Sequence, residues 1–184
     1  MNAGTNRFWE FSLSVWENKR LREACIRLQD RHTADTDIDL NIILFCVWAA
    51  AAGFRELNAG EIMGAMEATA YWRKTVVRPL LAVRKRLETG VVPIPPTLAR
   101  EVLSQVKIAE LESEKIEQLM LERIIDPPPY GSSIHQATAA NVAATGFAHY
   151  FSRIGMTPGK DDTRDLGQIL ALVFPDGSGS GRDT

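Results

Sequence analysis

Cysteine is scarce in this chain of 184 residues: Cys25 and Cys46 are the only two. Each sits in an apolar run of helical period, which predicts two buried, reduced thiols rather than a disulfide. A basic excess is also missing. Lysine and arginine number 21 against 23 aspartates and glutamates, a net charge of -2, so the electrostatic footprint of a nucleic-acid binder is absent. The longest uncharged apolar run, Ile42 to Phe54, falls short of the roughly 20 residues that span a bilayer. The segment Met1 to Arg7 carries no basic stretch followed by an apolar core, so no secretory signal is expected, and a cytoplasmic location is. There is no phosphate-cradling GxxxxGK[ST], no GxGxxG after a strand, no GxSxG and no HExxH. These absences lean against an enzyme.

What is present is helix. Hydrophobic residues make up 45% of the chain and charged ones 24%, the balance of a globular domain with its own core. The periodicity predicts an all-α bundle of about six or seven helices. A first helix over Asn6 to Glu17 carries Phe8, Phe11 and Val15 on one face and Trp9, Leu13 and Trp16 on the next. A second, Lys19 to His32, sets Leu21, Ala24, Cys25 and Leu28 at i, i+3, i+4, i+7 and turns Arg20, Arg22, Glu23 and Arg27 outward. A third, capped by Thr36, runs through the apolar Ile42 to Phe54 stretch to a stop at Gly53 and reads as a core helix buried all round.

A long fourth helix, Ala59 to Leu87, opens with an Asn58/Glu61 capping box. Its seam is Ile62, Met66, Thr69, Arg73, Val76, Leu80, Val83 and Leu87, with Pro79 predicting a kink or break near Arg78. A guanidinium buried in such a seam demands a carboxylate or several carbonyl acceptors, and Asp30, Asp39 and Glu10 are the carboxylates at hand; the alternative is that the kink or the long side chain lets Arg73 reach water. The fifth helix, Leu98 to Ile125, shows an apolar stripe of Leu98, Val102, Val106, Ala109, Ile116, Met120 and Ile124. Glu110, Glu112, Glu114, Lys115 and Glu117 are assigned to its solvated face. A Ser133/Gln136 capping box opens a small-residue helix from Ile134 to Ile154, suited to close packing. A short helix, Thr163 to Phe174, precedes a disordered tail over 176–184. The expected organisation is a compact core over 1–90, with the long polar helix and the C-terminal helices of 97–175 on or beside it.

Four segments together carry a family resemblance. They are F-W-E-F-x-L from Phe8, E-A-C-I-R-L-Q-D from Glu23, D-x-N-I-I-L-F-C-x-W from Asp39, and Y-W-R-K-x-V-V-R-P-L-x-x-x-R from Tyr71. With A-E-L-E-S-E-K-I-E from Ala109, they resemble an uncharacterised proteobacterial family known only as a domain of unknown function, over about Phe8 to Glu122. His32 to Ile38 is a small insertion against that pattern, and the resemblance stops before Asp126. It implies a small bacterial helical protein and supplies no activity.

Candidate chemistry is sparse. Asp35-x-Asp37-x-Asp39 looks like the start of a calcium loop, but the glycine and glutamate that loop needs are replaced by Leu40 and Cys46. Cys25, His32 and Cys46 are too scattered for zinc. No metal and no cofactor are expected. The basic run Arg73, Lys74, Arg78, Arg84, Lys85 and Arg86 is placed, apart from Arg73, on a solvated face that the acidic fifth helix can neutralise. Two function classes remain. The leading one is a non-catalytic interaction or accessory protein, meeting a protein partner or a second copy of itself through the fifth helix. The other is a small-molecule or metal-dependent helical enzyme or ligand binder, with a pocket drawn from Trp9, Trp48, Trp72, Asp30, Asp39, Asn41 and Arg73.

Overall fold

The computed structural model describes residues 6–32, 38–125 and 136–175. They form an all-α bundle, with no strand among the described residues. The helices are α1 (Arg7–Glu17), α2 (Lys19–Arg31), α3 (Leu40–Ala51), α4 (Ala59–Trp72), α5 (Arg78–Thr89), α6 (Pro96–Glu122), α7 (Gln136–Arg153) and α8 (Lys160–Val173). A π-turn, Arg73–Val77, joins α4 to α5 without a break. None of these helices is long and apolar enough to cross a membrane.

The apolar α3 is the hub, buried on every side from Leu40 to Ala50. It ends in a Schellman motif. Gly53 takes φ 84°, the Phe54 N–H donates to the Ala49 carbonyl at 2.9 Å, and the Gly53 N–H donates to Ala50 at 3.1 Å. Its start departs from expectation. Asp39, not Thr36, is the N-cap, its carboxylate accepting from the Asn41 N–H at 2.9 Å. Thr36 itself, with Asp35, Asp37, the Ser133 half of the second capping box and the 176–184 tail, lies outside the described residues. The Asn58/Glu61 box at the start of α4 is formed.

Around α3 stand α7, α6, α1, α4 and α8. The core therefore draws Phe8, Leu28, Phe45 and Trp48 from the N-terminal helices, and Leu121, Phe147, Tyr150 and Ile169 from the later ones. On α2 the inward residues are Leu21, Ala24, Cys25 and Leu28, the four that the spacing predicts. On α1 the buried set is Phe8, Ser12 and Val15, and Leu13 is exposed, because one flank of this helix meets α6 and the other meets water. The last helix starts at Lys160, three residues before the predicted Thr163, because the Asp162 carboxylate accepts the Gly159 N–H at 2.9 Å and closes the first turn.

The small residues of α7 do bring it close. A Cβ built on Gly146 would stand 2.8 Å from the Cys46 sulfur and 3.1 Å from its Cβ. Gly146→Ala should therefore destabilise by about 1–3 kcal/mol through overpacking, read from urea denaturation; an unchanged midpoint would mean that the helices are farther apart. Burial pushes both Cys25 and Cys46 thiols up to about 12. Thiol reagents at neutral pH should label neither in the native protein and both after unfolding, whereas rapid labelling of the folded chain would contradict this packing.

Pro79 does not break the helix. The π-turn just before it moves the Arg78 N–H onto the Arg73 carbonyl and lets the chain continue. A π-turn holds one extra residue, so every later position shifts by one around the axis. The predicted seam of Val76 and Val83 becomes Val77, which is buried, and Arg84, while Val83 is 46% exposed. The basic run is thus not all on a solvated face.

The largest correction concerns α6. Of the predicted apolar stripe, Leu98 (69% exposed), Val102 and Ile116 face water, while Ile124 at its end packs against the core. The inward face is Glu110, Ser113, Glu117, Gln118 and Leu121. The helix lies against α5, α4, α1 and α3, while α7 packs on α3 and α4 and leaves the outer stripe uncovered. Polar pairing of this face, Arg84 with Glu110 and Asn41 with Glu117 and Gln118, outweighs the burial of a few aliphatic side chains here.

Candidate functional site

Between α2 and the α5–α6 hairpin lies a cleft of about 410 Å³. Leu40, Asn41 and Leu44 of α3 form its floor, and Trp16 of α1 with Ile26, Gln29 and Asp30 of α2 forms one side. Opposite stand Arg73, Arg84, Lys85 and Glu88, with Glu110, Glu114 and Gln118 of α6. The volume is that of a small-molecule site. Arg73 also lines a second cavity, of about 330 Å³, with Asp39, Met66 and Tyr150.

Arg73 meets the carboxylate that its place in the seam requires. Its Nη1 is 3.2 Å from Asp39 Oδ1, and its Nη2 donates to the Ile38 carbonyl at 3.4 Å. Asp39 is buried, caps α3, and offers its own N–H to the Tyr150 hydroxyl at 2.6 Å. One residue thus ties α3, α7 and the π-turn. Asp30 shares the cleft with Arg73 but makes no ion pair among the described residues, and Glu10 is exposed on α1.

Asn41 carries the polar network inward from the floor. Its Nδ2 donates to Glu117 Oε2 at 2.9 Å, and its Oδ1 accepts from Gln118 Nε2 at 2.8 Å. Glu117 is wholly buried. Burial and then the charge of Asp39 push its carboxyl up to about 9, so it is protonated at neutral pH. Glu114, half-buried at the cleft, is raised to about 7 by burial and then by Glu110. A carboxyl near neutral can give or take a proton at physiological pH. Arg84 closes the far side. It donates from Nε to Glu110 at 2.6 Å and from Nη1 to Glu88 at 3.0 Å, and Lys107 also holds Glu88 at 2.9 Å.

Of the residues singled out from sequence, Asp30, Asn41 and Arg73 come together at this cleft, and Asp39 stands beside it on Arg73. The three tryptophans do not line it. Trp48 stacks on Phe8 in the core with centroids 5.3 Å apart. Trp9 lies under Lys115, and Trp72 donates its indole N–H to the Ser113 carbonyl at 2.9 Å. Trp16 is the tryptophan of the cleft. Sequence reasoning missed Arg84, Glu110, Glu114, Glu117 and Gln118. A signal existed: Leu103, Val106, Glu110, Ser113, Glu117, Leu121 and Ile124 form a second seam, apolar at both ends and polar in the middle. Among the described residues no group of three or more acidic, histidine or cysteine side chains is arranged to hold a metal ion.

No curated protein and no solved structure matches this chain. A family model described as "Protein of unknown function (DUF2390)" matches residues 7–121, from the first residue of α1 to the penultimate residue of α6. That span holds every residue of the cleft, with α7 and α8 beyond it. The chain belongs to this family of unknown function.

Proposed function

We propose that this chain is a cytoplasmic, non-catalytic binding protein that holds a small molecule in the cleft between α2 and the α5–α6 hairpin. One observation carries the reading: charged and amide side chains from α2, α3, α5 and α6 converge on a cleft of about 410 Å³ that also has an apolar wall. Binding rather than covalent catalysis of the serine, cysteine or histidine kind is favoured because the described lining holds no hydroxyl, thiol or imidazole to act as a nucleophile. Trp16 supplies the readout. A ligand drawn from a collection of anionic, cationic and neutral metabolites should raise the unfolding midpoint and change the fluorescence of the wild type. The fluorescence change should vanish in Trp16→Phe, and binding should vanish in Ile26→Trp, which fills the rim. If no compound of any charge class stabilises the protein, the reading is wrong.

The exposed aliphatic residues of α6 support a second reading, docking of a protein partner or a second copy. Leu98, Val102, Ile108, Leu111 and Ile116 all face water, an unusual load for one helix. In light scattering, the mass should then rise with concentration in the wild type and stay monomeric in Ile108→Glu. A wild type that remains monomeric removes the self-association form of this reading.

A further inference from the structure

We infer that the cleft takes a small aliphatic amine or guanidine, with the cationic head donating to Glu114 and to Gln118 Oε1 and the carbon chain lying along Trp16, Ile26 and Leu44. This rests on the cleft being a ligand site. The case is an inventory of donors and acceptors. Three cations line the cleft, but two guanidiniums are engaged: Arg73 with Asp39 and the Ile38 carbonyl, Arg84 with Glu110 and Glu88. Lys85 is the lining cation with no ion pair among the described residues. The buried group of the lining left wanting a partner is an acceptor. Gln118 is 2% exposed, lines the cleft, and has no donor for its Oε1, because its Nε2 is spent on Asn41. Glu114 reaches the cleft with no hydrogen bond among the described residues, and Asp30 faces it from α2.

A buried acceptor without a donor is costly, and an incoming N–H cation gives Gln118 Oε1 its donor while pairing with Glu114. An anion would instead meet Glu114, Glu110 and Asp30 with two of the three nearby cations already neutralised. The charges facing Glu114 are Arg73 on the π-turn, Arg84, Lys85 and Glu88 on α5, Asp39 at the start of α3, Glu110 and Glu117 on its own helix, and Asp30 across the cleft. Glu114 is raised to about 7, so a cation should bind its ionised form and displace a proton.

Isothermal titration calorimetry of the full chain with agmatine, cadaverine and n-butylguanidine, beside citrate and 1-pentanol, tests this. At least one of the three cations should bind. Its affinity should be about tenfold tighter at about pH 8 than at about pH 6, with proton release seen as a dependence of the heat on buffer ionisation enthalpy. Glu114→Gln should weaken binding at least about tenfold and flatten the pH dependence. That variant should fold, since it removes a carboxyl that burial disfavours, and circular dichroism checks this. Ile26→Trp, at the exposed rim, should block binding on an intact fold. Binding of citrate or 1-pentanol without any of the cations would overturn the inference and leave the ligand-site reading standing. No binding by any probe overturns the inference, and the wider metabolite screen then decides the ligand-site reading separately. Cation binding that survives both variants would place it on the acidic surface and also overturn the inference.

Discussion

Arg73→Ala is expected to cost on the order of 3–5 kcal/mol in chemical denaturation, because it leaves a buried carboxylate without its partner. Asp39 is the abandoned group, and it also caps α3 and accepts the Asn41 N–H. The same guanidinium draws the carboxyls of Glu114 and Glu117 downward, so its loss should raise both further. Arg73→Met should be milder, since it keeps much of the volume and Asp39 can protonate. A loss below about 1 kcal/mol in Arg73→Ala would mean that the pair is solvated as a surface ion pair is, against an arginine side chain only 14% exposed.

Asp165→Ala is the second large effect, expected at about 3 kcal/mol, the low end for breaking a buried pair. Asp165 is fully buried and accepts from Arg27 Nε at 3.0 Å and Nη2 at 2.8 Å, while Arg31 holds its other oxygen. The low end applies because Arg27 is 39% exposed and can rehydrate once released. These bonds, with Arg31 and His32 on Asp162 at 2.9 Å each, dock α8 onto α2. Hydrogen exchange should therefore quicken in α8 first. A uniform change, or none, would separate this cluster from docking.

The two acidic clusters pull stability in opposite directions with pH. Burial raises Asp162 and Asp165, but the bonds from His32, Arg27 and Arg31 outweigh it and hold both below the ordinary 3.8. Their contribution is present above about pH 4 and fades as pH falls through the depressed folded values. Glu114 and Glu117 are raised instead. The folded state holds their protons more tightly than the unfolded chain, so their contribution is full below the ordinary 4.5 and is lost as pH rises through about 7 and about 9. Stability should thus form a dome between the two flanks. Glu117→Gln should flatten the alkaline flank and leave the acid one unchanged in urea titrations across pH.

The bundle was legible because its strongest signals are one-sided. An apolar run such as Ile42 to Ala50 has nowhere to go but the interior, and the α2 face at Leu21, Ala24, Cys25 and Leu28 allows one orientation. That Arg73 needs a buried partner followed from charge, since a guanidinium in a seam cannot shed its proton; which of Asp30, Asp39 and Glu10 supplies it did not. What failed was any choice between two rival patterns. On α6 the outer stripe of Leu98, Val102 and Ile116 is as regular as the inner seam. Only Arg84 of α5, on Glu110, and Asn41 of α3, on Glu117, both distant in sequence, decide for the seam. The π-turn compounded this, since a one-residue shift that brings Arg84 inward leaves no mark in periodicity beyond Pro79. The docking of α8 was invisible for the same reason: Arg27 reads as solvated until Asp165 is placed beside it.

The account turns on α6 facing inward with its carboxyls. Carbon-13 NMR of glutamate side-chain carboxyls, assigned with Glu114→Gln and Glu117→Gln, measures that directly. The inward orientation predicts that Glu114 titrates at about 7 and Glu117 at about 9. Both titrating near the ordinary 4.5 would place them in water, turn the apolar stripe back toward the core, and remove the cleft's inner wall.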